Sequence, residues 1–253
     1  MARIFITGST DGLGLFNART LLGQGHEVLL HARSAARADA IRNLPSAGII
    51  IGDLASDTET RAVADQVNDF GPMDAIIHNA GVYLSDSRIA TAEGHSRTLA
   101  VNVLAPYLLT ALIHRPQRLI YVSSGMHLGM HSNLDDIDWV TRRWNASQAY
   151  SESKLYVSAV AAAVARLWPA VLSNSVDPGW VPTKMGGPSA SDDLQLGHDT
   201  QSWLAVSDDP AATATGKYWH HRRTQRPAAE VDDPAFQDTL LATLTRITGT
   251  SLH

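Results

Sequence analysis

The sequence lacks cysteine and lacks any long apolar run. Without cysteine it forms no disulfide, has no thiolate nucleophile and offers no cysteine-based zinc site. No apolar stretch approaches the roughly 18 residues that indicate a membrane-spanning helix. The N-terminus shows neither the basic lead nor the apolar core of a signal peptide. These absences predict a soluble, cytoplasmic protein without a membrane partner.

Positive charge is also scarce. The 253 residues contain 20 Lys and Arg against 25 Asp and Glu, a formal net charge of −5. This balance argues against a nucleic-acid partner or an anionic membrane surface. The hydrophobic share of 44% is ordinary for a globular protein, and the length suits one large α/β domain.

Short apolar segments rich in β-branched residues alternate with longer helical patterns. Predicted strands cover 3–7, 27–32, 48–51, 73–79, 118–124 and 172–177, with 216–220 as a seventh. Predicted helices cover 13–23, 34–44, 56–69, 90–113 and 148–167. This alternation predicts a doubly wound α/β fold of about seven mostly parallel strands with helices on both faces, in one domain over 1–253. The Gly-, Pro-, Ser- and Asp-rich segment 185–202 interrupts the pattern, and we expect a substrate loop or lid over about 184–215.

A glycine-rich turn follows the first predicted strand. The segment TGSTDGLG places Gly8, Gly12 and Gly14 where a strand passes into a helix. Glycines there permit a tight turn and bring backbone N–H groups close to a pyrophosphate at the helix N-terminus. The spacing differs from Gly-x-Gly-x-x-Gly, and a turn that merely needs positive φ is an alternative. Its place after the first strand favours cofactor binding.

The end of the second predicted strand distinguishes between the two nicotinamide dinucleotides. An acidic residue there binds the ribose 2′-hydroxyl of NAD, whereas an arginine accommodates the 2′-phosphate of NADP. This strand ends in Ala32, Arg33 and Ser34. A guanidinium and a hydroxyl suit a phosphate dianion, so the sequence favours NADP(H) over NAD(H). Arg33 as an ordinary solvated residue is the alternative.

Two chemically active side chains share one face of an otherwise apolar predicted helix. Tyr150 and Lys154 are four residues apart in QAYSESKLYVSAVAAAVARLW, so phenol and ammonium point the same way. Tyr156 has Val160 in the corresponding position. A nearby ammonium stabilises a phenolate and lowers the phenol pKa from its usual value near 10. The pair therefore predicts acid–base chemistry.

Together these motifs resemble the short-chain dehydrogenase/reductases, and loosely their retinol-dehydrogenase-like branch. TGSTDGLG, GDL, HNAG, the Asn102 of LAVNVLAP, YVSS, YSESK and DPGWVPT follow in that family's order and approximate spacing. The resemblance implies a Rossmann-type fold and an NADP(H)-dependent oxidoreductase that interconverts a carbonyl and an alcohol.

The resemblance also implies roles for individual residues. Tyr150 is the expected general acid/base, and Lys154 tunes it and binds the nicotinamide ribose. Ser124 holds the substrate oxygen, and Asn102 positions a water in the proton relay. From the residues alone, the alternative for Ser124 is a strand-end turn residue, and the alternative for Asn102 is a polar helix residue that satisfies a backbone group.

The expected cofactor contacts lie in five segments. They are Gly8, Ser9, Thr10, Gly12, Leu13 and Gly14; Arg33 and Ser34; Asp53 and Leu54; Asn79, Ala80 and Gly81; and Pro178, Gly179, Val181 and Thr183, together with Tyr150 and Lys154. Asp53 is expected to hydrogen-bond the adenine amino group. Asp11 is a departure, because some NADP-preferring relatives carry a basic residue there.

Several alternatives remain open. The fold also suits a non-catalytic NADP(H)-binding regulator, although such a protein would be expected to lose Tyr150 or Lys154. An epimerase or dehydratase of the extended branch would need a larger substrate domain. His127 and His131 are four residues apart, but no third ligand is evident and we predict no metal. The expected substrate is a small carbonyl or alcohol compound. The helices over 90–113 and 148–167 carry more apolar residues than one sheet face requires. The family resemblance implies that they pair between subunits in a homodimer or homotetramer, with a monomer as the alternative.

Overall fold

The computed structural model describes residues 1–83 and 85–252. Its centre is one sheet whose strands are β1 (Arg3–Ile6), β2 (Glu27–Ala32), β3 (Gly48–Ile51), β4 (Ala75–His78), β5 (Arg118–Val122), β6 (Leu172–Asp177), β7 (Tyr218–His220) and β8 (Arg223–Gln225). Their spatial order is β3-β2-β1-β4-β5-β6-β7-β8, and every neighbouring pair is parallel except β7 and β8. This is the doubly wound, Rossmann-type sheet that the sequence predicts, with one additional edge strand.

Helices cover both faces of this sheet. They are α1 (Gly12–Gly23), α2 (Ala35–Ala38), α3 (Asp57–Phe70), α4 (Arg97–Leu99), α5 (Ala105–Leu112), α6 (Ala146–Leu167), α7 (Leu194–Val206) and α8 (Pro234–Thr248). One apolar core contains side chains of α3, α5, α6 and α8, and a second contains side chains of α1 and α7. The successive β-branched strands, buried on both faces, form the layer between them.

Local signals set the ends of the longer helices. The Asn145 side chain accepts a hydrogen bond from Gln148 N at 3.0 Å and so caps the start of α6. Pro234 occupies the first turn of α8, where its missing N–H is not needed. The same helix ends at Gly249, whose φ of 67° is left-handed.

Three predicted helical or loop segments differ in the structure. The helix expected over 34–44 is a single turn, α2, followed by a 3₁₀ turn over Asp39–Ile41. The helix expected over 90–113 begins only at Arg97. The segment 185–202 is expected as a loop, but its last nine residues belong to α7 (Leu194–Val206).

Long-range polar contacts explain why α7 has no clear apolar periodicity. Ser202 Oγ donates to Asn17 Oδ1 of α1 at 2.7 Å, and the rings of His198 and Phe16 stack at 5.6 Å. Gly197 lies so close to Val181 that a Cβ would meet its Cγ1 at 2.5 Å. Polar and small residues therefore form the buried face of α7.

The alanine-rich helix α6 has a partner within the chain. The ring of Tyr156 stacks on Phe236 of α8 at 6.5 Å, and Arg166 Nε donates to Gln237 Oε1 at 2.9 Å. Part of the apolar surface of α6 is therefore covered by α8, and an assembly of subunits remains a prediction. Among the described residues, no helix is both long enough and apolar enough to cross a membrane.

Candidate active site

A cleft of about 1130 Å³ opens at the carboxyl ends of the strands. The strand order reverses between β1 and β4. From β1 the chain continues to β2 on one side of the sheet order, and from β4 it continues to β5 on the other. In doubly wound folds this switch point is where ligands bind. The cleft is lined by most of the residues that the sequence singled out, namely Gly8, Thr10, Gly12, Leu13, Arg33, Asp53, Leu54, Asn79, Ala80, Gly81, Ser124, Tyr150, Lys154, Pro178, Gly179, Val181 and Thr183.

The glycine-rich turn has the backbone geometry that requires glycine. Gly8 and Gly12 have φ of 64° and 51°. A Cβ on Gly14 would meet Gly8 O and Asn79 Nδ2 at 2.5 Å. Asn79 Nδ2 in turn donates to Thr7 O at 2.9 Å and Gly8 O at 3.2 Å. The turn is thus packed tightly against the end of β4, and Gly14 lies behind it.

A buried histidine, which sequence reasoning missed, supports this turn from β2. His31 Nδ1 accepts the hydrogen bond of Gly8 N at 3.0 Å, and Nε2 lies 2.9 Å from Gly52 O. One acceptor and one donor nitrogen define a neutral ring. Burial lowers the pKa of His31 to about 4, against the opposing effects of the Gly52 hydrogen bond and Asp53. Ser9, also predicted in the cofactor site, is fully buried, and its Oγ accepts from His31 N at 2.8 Å.

Cationic side chains surround the outer part of the cleft. Arg33 lies at the end of β2 as predicted, exposed and lining the cleft. Arg37, the third residue of α2, also lines it and donates to Thr10 Oγ1 at 3.0 Å. Ser34 caps α2 by accepting from Arg37 N at 3.4 Å. Sequence reasoning missed Arg37, although its place in the predicted helix directly after Arg33 was a usable signal.

Asp11 pairs with two cationic side chains, Arg37 and Lys184. Its Oδ2 accepts from Arg37 Nη2 at 2.5 Å and from Lys184 Nζ at 3.2 Å. Burial of the carboxyl raises its pKa, but the hydrogen bonds and charges of Arg37 and Lys184 outweigh burial and lower the pKa of Asp11 below its usual value. The acidic departure from the family pattern is therefore neutralised within the cleft. Lys184 follows the predicted cofactor contact Thr183.

Asp53 lines the cleft, but one of its oxygens is already used. Its Oδ1 accepts from Ala55 N at 3.0 Å, and its own N–H donates to Glu59 Oε2 at 2.7 Å. The Asp53 carboxyl thus holds the turn between β3 and α3. The expected bond to an adenine amino group remains a prediction.

Three predicted catalytic side chains meet deeper in the cleft. Tyr150 and Lys154 lie on one face of α6, and the ammonium nitrogen is 5.4 Å from the centre of the phenol ring. Ser124 follows β5, and its side chain lies near enough to the Tyr150 hydroxyl to favour the ionised phenol. Lys154 Nζ donates to Val122 O at 2.8 Å. Tyr83, which sequence reasoning missed, covers Tyr150 with ring centres 4.4 Å apart.

Burial determines the protonation of these groups. It raises the pKa of the Tyr150 phenol, Asp177 and Tyr83 raise it further, and only the Ser124 hydroxyl opposes them. Burial lowers the pKa of Lys154 to about 8, against the attraction of Asp177. The sequence predicts a lowered Tyr150 pKa. In the protein alone the shift is the opposite, because removal from water outweighs the effect of the Ser124 hydroxyl.

Asn102 lies in a π-helical stretch, Ala100–Leu104, between α4 and α5. Its Oδ1 accepts from Val82 N at 2.8 Å, and its Nδ2 donates to Val82 O at 3.0 Å and to Ser153 Oγ at 2.9 Å. The side chain is only 1% exposed. It satisfies a backbone group, as the alternative from the sequence has it, and it joins the loop after β4 to α6. The role of Asn102 in a proton relay remains a prediction.

The loop after β6 forms the remaining wall. Gly179 has a φ of 80°, and its N–H donates to Asp177 Oδ1 at 2.9 Å. Trp180 is 54% exposed at the mouth, and its Nε1 donates to Gly186 O at 2.9 Å. Val181, Thr183 and Pro178 complete this wall as predicted.

His127, predicted not to bind a metal, has both ring nitrogens occupied by the protein. Its Nδ1 lies 2.7 Å from Ser124 O, and its Nε2 accepts from Ala228 N at 3.2 Å. The described part of the chain contains no group of three or more His, Asp or Glu side chains placed to hold a metal ion. His127 instead supports the backbone of Ser124.

The fold and the cleft thus define a dinucleotide-binding α/β protein, and comparisons identify its family. The short chain dehydrogenase family matches residues 2–194. The short-chain dehydrogenase chyC of Penicillium rubens is 40% identical over 258 residues, covering 100% of this chain and 99% of that protein. A structure from Mycobacterium paratuberculosis superimposes with a TM-score of 0.85 at 24% identity, covering 100% and 95% of the two chains. A metagenomic blue fluorescent protein in complex with NADPH gives 0.71 at 21% identity, covering 87% and 95%.

This chain belongs to the short-chain dehydrogenase/reductase family and is an oxidoreductase. The predicted resemblance and fold are confirmed. The family supports a nicotinamide cofactor and a small-molecule carbonyl or alcohol substrate.

Proposed function

We propose that this protein is an NADP(H)-dependent carbonyl reductase, which interconverts a ketone or aldehyde and its alcohol with Tyr150 as general acid/base. The observation that carries the proposal is the meeting of Ser124, Tyr150 and Lys154 on one wall of the cleft, next to the glycine-rich turn. The cytoplasmic location and the homo-oligomeric assembly expected from the sequence belong to this proposal.

Tyr150 and Ser124 act on the substrate oxygen. Ser124 donates a hydrogen bond to it, and Tyr150 delivers the proton that converts the developing alkoxide to the alcohol. Because burial raises its pKa, the phenol keeps its proton at neutral pH and is ready to donate it. A bound NADPH supplies the hydride for the carbonyl carbon.

Lys154 stabilises the phenolate that remains after proton transfer. Its pKa of about 8 leaves the ammonium mostly protonated at neutral pH. The ammonium nitrogen is 5.4 Å from the ring centre of Tyr150, near enough to favour the negative charge as it forms. The resemblance adds a bond from this ammonium to the nicotinamide ribose.

The cations at the cleft mouth support NADP(H) rather than NAD(H). Arg33 and Arg37 flank the end of β2, and both line the cleft. Planar guanidinium groups match the oxygens of a phosphate. We assign the 2′-phosphate to these two arginines and the remaining contacts to the predicted segments. Four predicted residues are not among those that line the cleft and support these segments instead, namely Ser9, Gly14, Ser34 and Asn102.

NADPH oxidation by the purified protein tests the reaction. We expect turnover with at least one member of a panel of aldehydes, ketones and quinones. Tyr150→Phe removes the proton donor and should lower kcat about 10²- to 10⁴-fold. Tyr156→Phe is the matched control, because that buried tyrosine lies on the same helix and contacts Asn133 N at 3.2 Å.

The two variants separate the proposed mechanism from a general loss of structure. Equal loss of turnover in Tyr150→Phe and Tyr156→Phe would contradict the assigned role of Tyr150. Binding of NADPH without turnover across the panel would favour the non-catalytic regulator.

Arg37→Gln tests the cofactor preference. Loss of a charged hydrogen-bond donor should weaken NADPH binding about tenfold and leave NADH binding unchanged. Dissociation constants from protein fluorescence measure this difference. Arg42→Gln is the matched control, because Arg42 is exposed and pairs with Asp39 away from the cleft. Equal weakening of both cofactors by Arg37→Gln would refute a contact to the 2′-phosphate.

A further inference from the structure

An acidic side chain lies beside the proposed catalytic serine. Asp177 ends β6, and its Oδ2 would be 2.9 Å from a Cβ built on Gly125, the residue after Ser124. Glycine at position 125 therefore leaves space that the carboxylate occupies. Both Asp177 and Ser124 line the cleft. This carboxylate thus belongs to the part of the cleft where the reacting oxygen is proposed to lie.

The Asp177 carboxylate is largely removed from water and incompletely paired. Its side chain is 14% exposed, and its Oδ1 accepts from Gly179 N at 2.9 Å. The His220 Nδ1 is 3.5 Å from Oδ2 and 3.2 Å from the backbone oxygen of Asp177. The distance to Oδ2 exceeds a good N–H···O hydrogen bond. Two other polar groups that interact with this carboxylate are the buried Tyr218 hydroxyl, which has no hydrogen-bond partner within the described part of the chain, and the Lys154 ammonium. A partly buried carboxylate is stabilised by a further donor, so the site favours a ligand that provides one.

The side chain opposite Asp177 is held in place by a strained turn. His220 pairs with Asp177 in the β6–β7 register and lines the cleft. The next two residues, His221 and Arg222, have φ of 48° and 59°, a region that residues with a Cβ rarely adopt. Arg222 N donates to Thr200 Oγ1 at 2.9 Å. Such strain is common at functional sites and persists only where surrounding contacts impose it.

The electrostatic influence of Asp177 extends to the proposed reaction centre. Its charge contributes to the raised pKa of Tyr150 and opposes the lowered pKa of Lys154. The nearby surfaces of the cleft include exposed apolar side chains, with Met126 at 38% and Met185 at 43% exposure. A ligand in this cleft has both an anion and apolar side chains available to it.

We propose that Asp177 and His220 form a substrate subsite that accepts a hydrogen bond from an O–H or N–H group of the substrate. The inference rests on the proposed carbonyl reductase function and adds the class of substrate. Preferred substrates carry a hydrogen-bond donor in addition to the reacting carbonyl, on an aromatic or otherwise apolar body. Asp177 and His220 are specificity-determining residues in this scheme, and Tyr150 remains the proton donor.

A matched set of ketones tests the subsite by binding. The probes are acetophenone and its 2′-, 3′- and 4′-hydroxy isomers, added to the NADP⁺-saturated protein and measured by ligand-observed NMR. We expect at least one hydroxylated isomer to bind about fivefold or more tightly than acetophenone. Asp177→Asn keeps an acceptor for Gly179 N but removes the charge, which should reduce that preference to about twofold or less.

Two further variants keep the test decisive. Asp192→Asn changes a neighbouring carboxylate that accepts from Trp180 N at 2.6 Å, and it should retain the preference. His220→Gln alters the opposite side of the subsite without touching the Gly179 bond, and it should lower the preference about twofold. Near-UV circular dichroism verifies that each variant is folded.

The outcomes separate the subsite from the reaction. Equal affinity for all four ketones in the wild type, including no measurable binding, overturns the subsite. A preference retained by Asp177→Asn, or lost equally in Asp192→Asn, also overturns it. Selective binding that depends on Asp177 supports the subsite whether or not NADPH reduces the ketone. Bound probes that are never reduced count against their being substrates, and that result concerns the proposed function alone.

Discussion

Removal from water governs protonation at individual residues of this cleft. The phenol of Tyr150 and the ammonium of Lys154 both shift toward their neutral forms, because each is buried. In the proposed reduction this favours a protonated phenol at the start of the reaction. The reverse oxidation would need that proton removed first, so we expect oxidation to depend more steeply on pH than reduction.

His31 makes protein stability depend on pH. Its pKa is about 4 in the folded chain, against an ordinary value of 6.5. Between these values the unfolded chain binds more protons, so the free energy of unfolding falls as pH decreases through this window. We expect a loss of about 1.4 kcal/mol per pH unit from His31. His78, whose pKa burial lowers to about 3, acts in the same direction.

Urea unfolding at pH 7, 6 and 5 measures this effect. His31→Gln removes one titrating group. The slope of the unfolding free energy against pH should therefore decrease by an amount that corresponds to about one bound proton. The control is His114→Gln, because His114 is exposed. An unchanged slope in His31→Gln would show that the ring is not held neutral.

Among the elements, the β7–β8 hairpin positions a cleft residue through an unfavourable turn. Its two central residues, His221 and Arg222, have positive φ, where hairpins of this kind favour Asn and Gly. The rings of His220 and His221 stack at 3.8 Å, and Arg222 Nη2 donates to Asp199 Oδ1 at 2.7 Å. These contacts oppose the backbone strain and fix the direction of His220.

His221→Gly relieves the strain at one position of this turn. We expect the free energy of unfolding to rise by about 1 kcal/mol, since glycine adopts positive φ without a Cβ clash. Thermal or urea unfolding measures the change. The same substitution at the exposed His114, which has no positive φ, should not stabilise the protein. A decrease in stability for His221→Gly would mean that the histidine stack outweighs the strain.

At the scale of the whole molecule, the central strands were predictable and their long-range contacts were not. β1 to β6 lie within two residues of the predicted bounds, because most of them are short runs whose side chains are buried. The glycine-rich turn and the Tyr150–Lys154 pair were found by local spacing alone. α7 was missed because its partners, such as Asn17 for Ser202, are distant in sequence. β8 was missed because its three residues are exposed and carry no apolar pattern.

The same distinction holds for the cleft. Arg33 was identified from its place at a strand end, whereas His31 and Asp177 have roles that depend on Gly52, Gly125 and other distant residues. The direction of the Tyr150 pKa also depends on burial, which spacing does not report. Tertiary contacts therefore determine the electrostatics of a site whose members local motifs can locate.

The hydrogen bond between His127 and Ala228 connects the C-terminal part of the chain to the residues around Ser124. The family match ends at residue 194, yet Ala228 N supports the ring that holds the backbone of Ser124. Two further features lie beyond that residue. His220 lines the cleft, and α8 packs against α6. Sequence divergence in the last sixty or so residues can therefore alter the reaction centre without changing any residue of the recognised motifs. Relatives that share every motif can still differ in substrate.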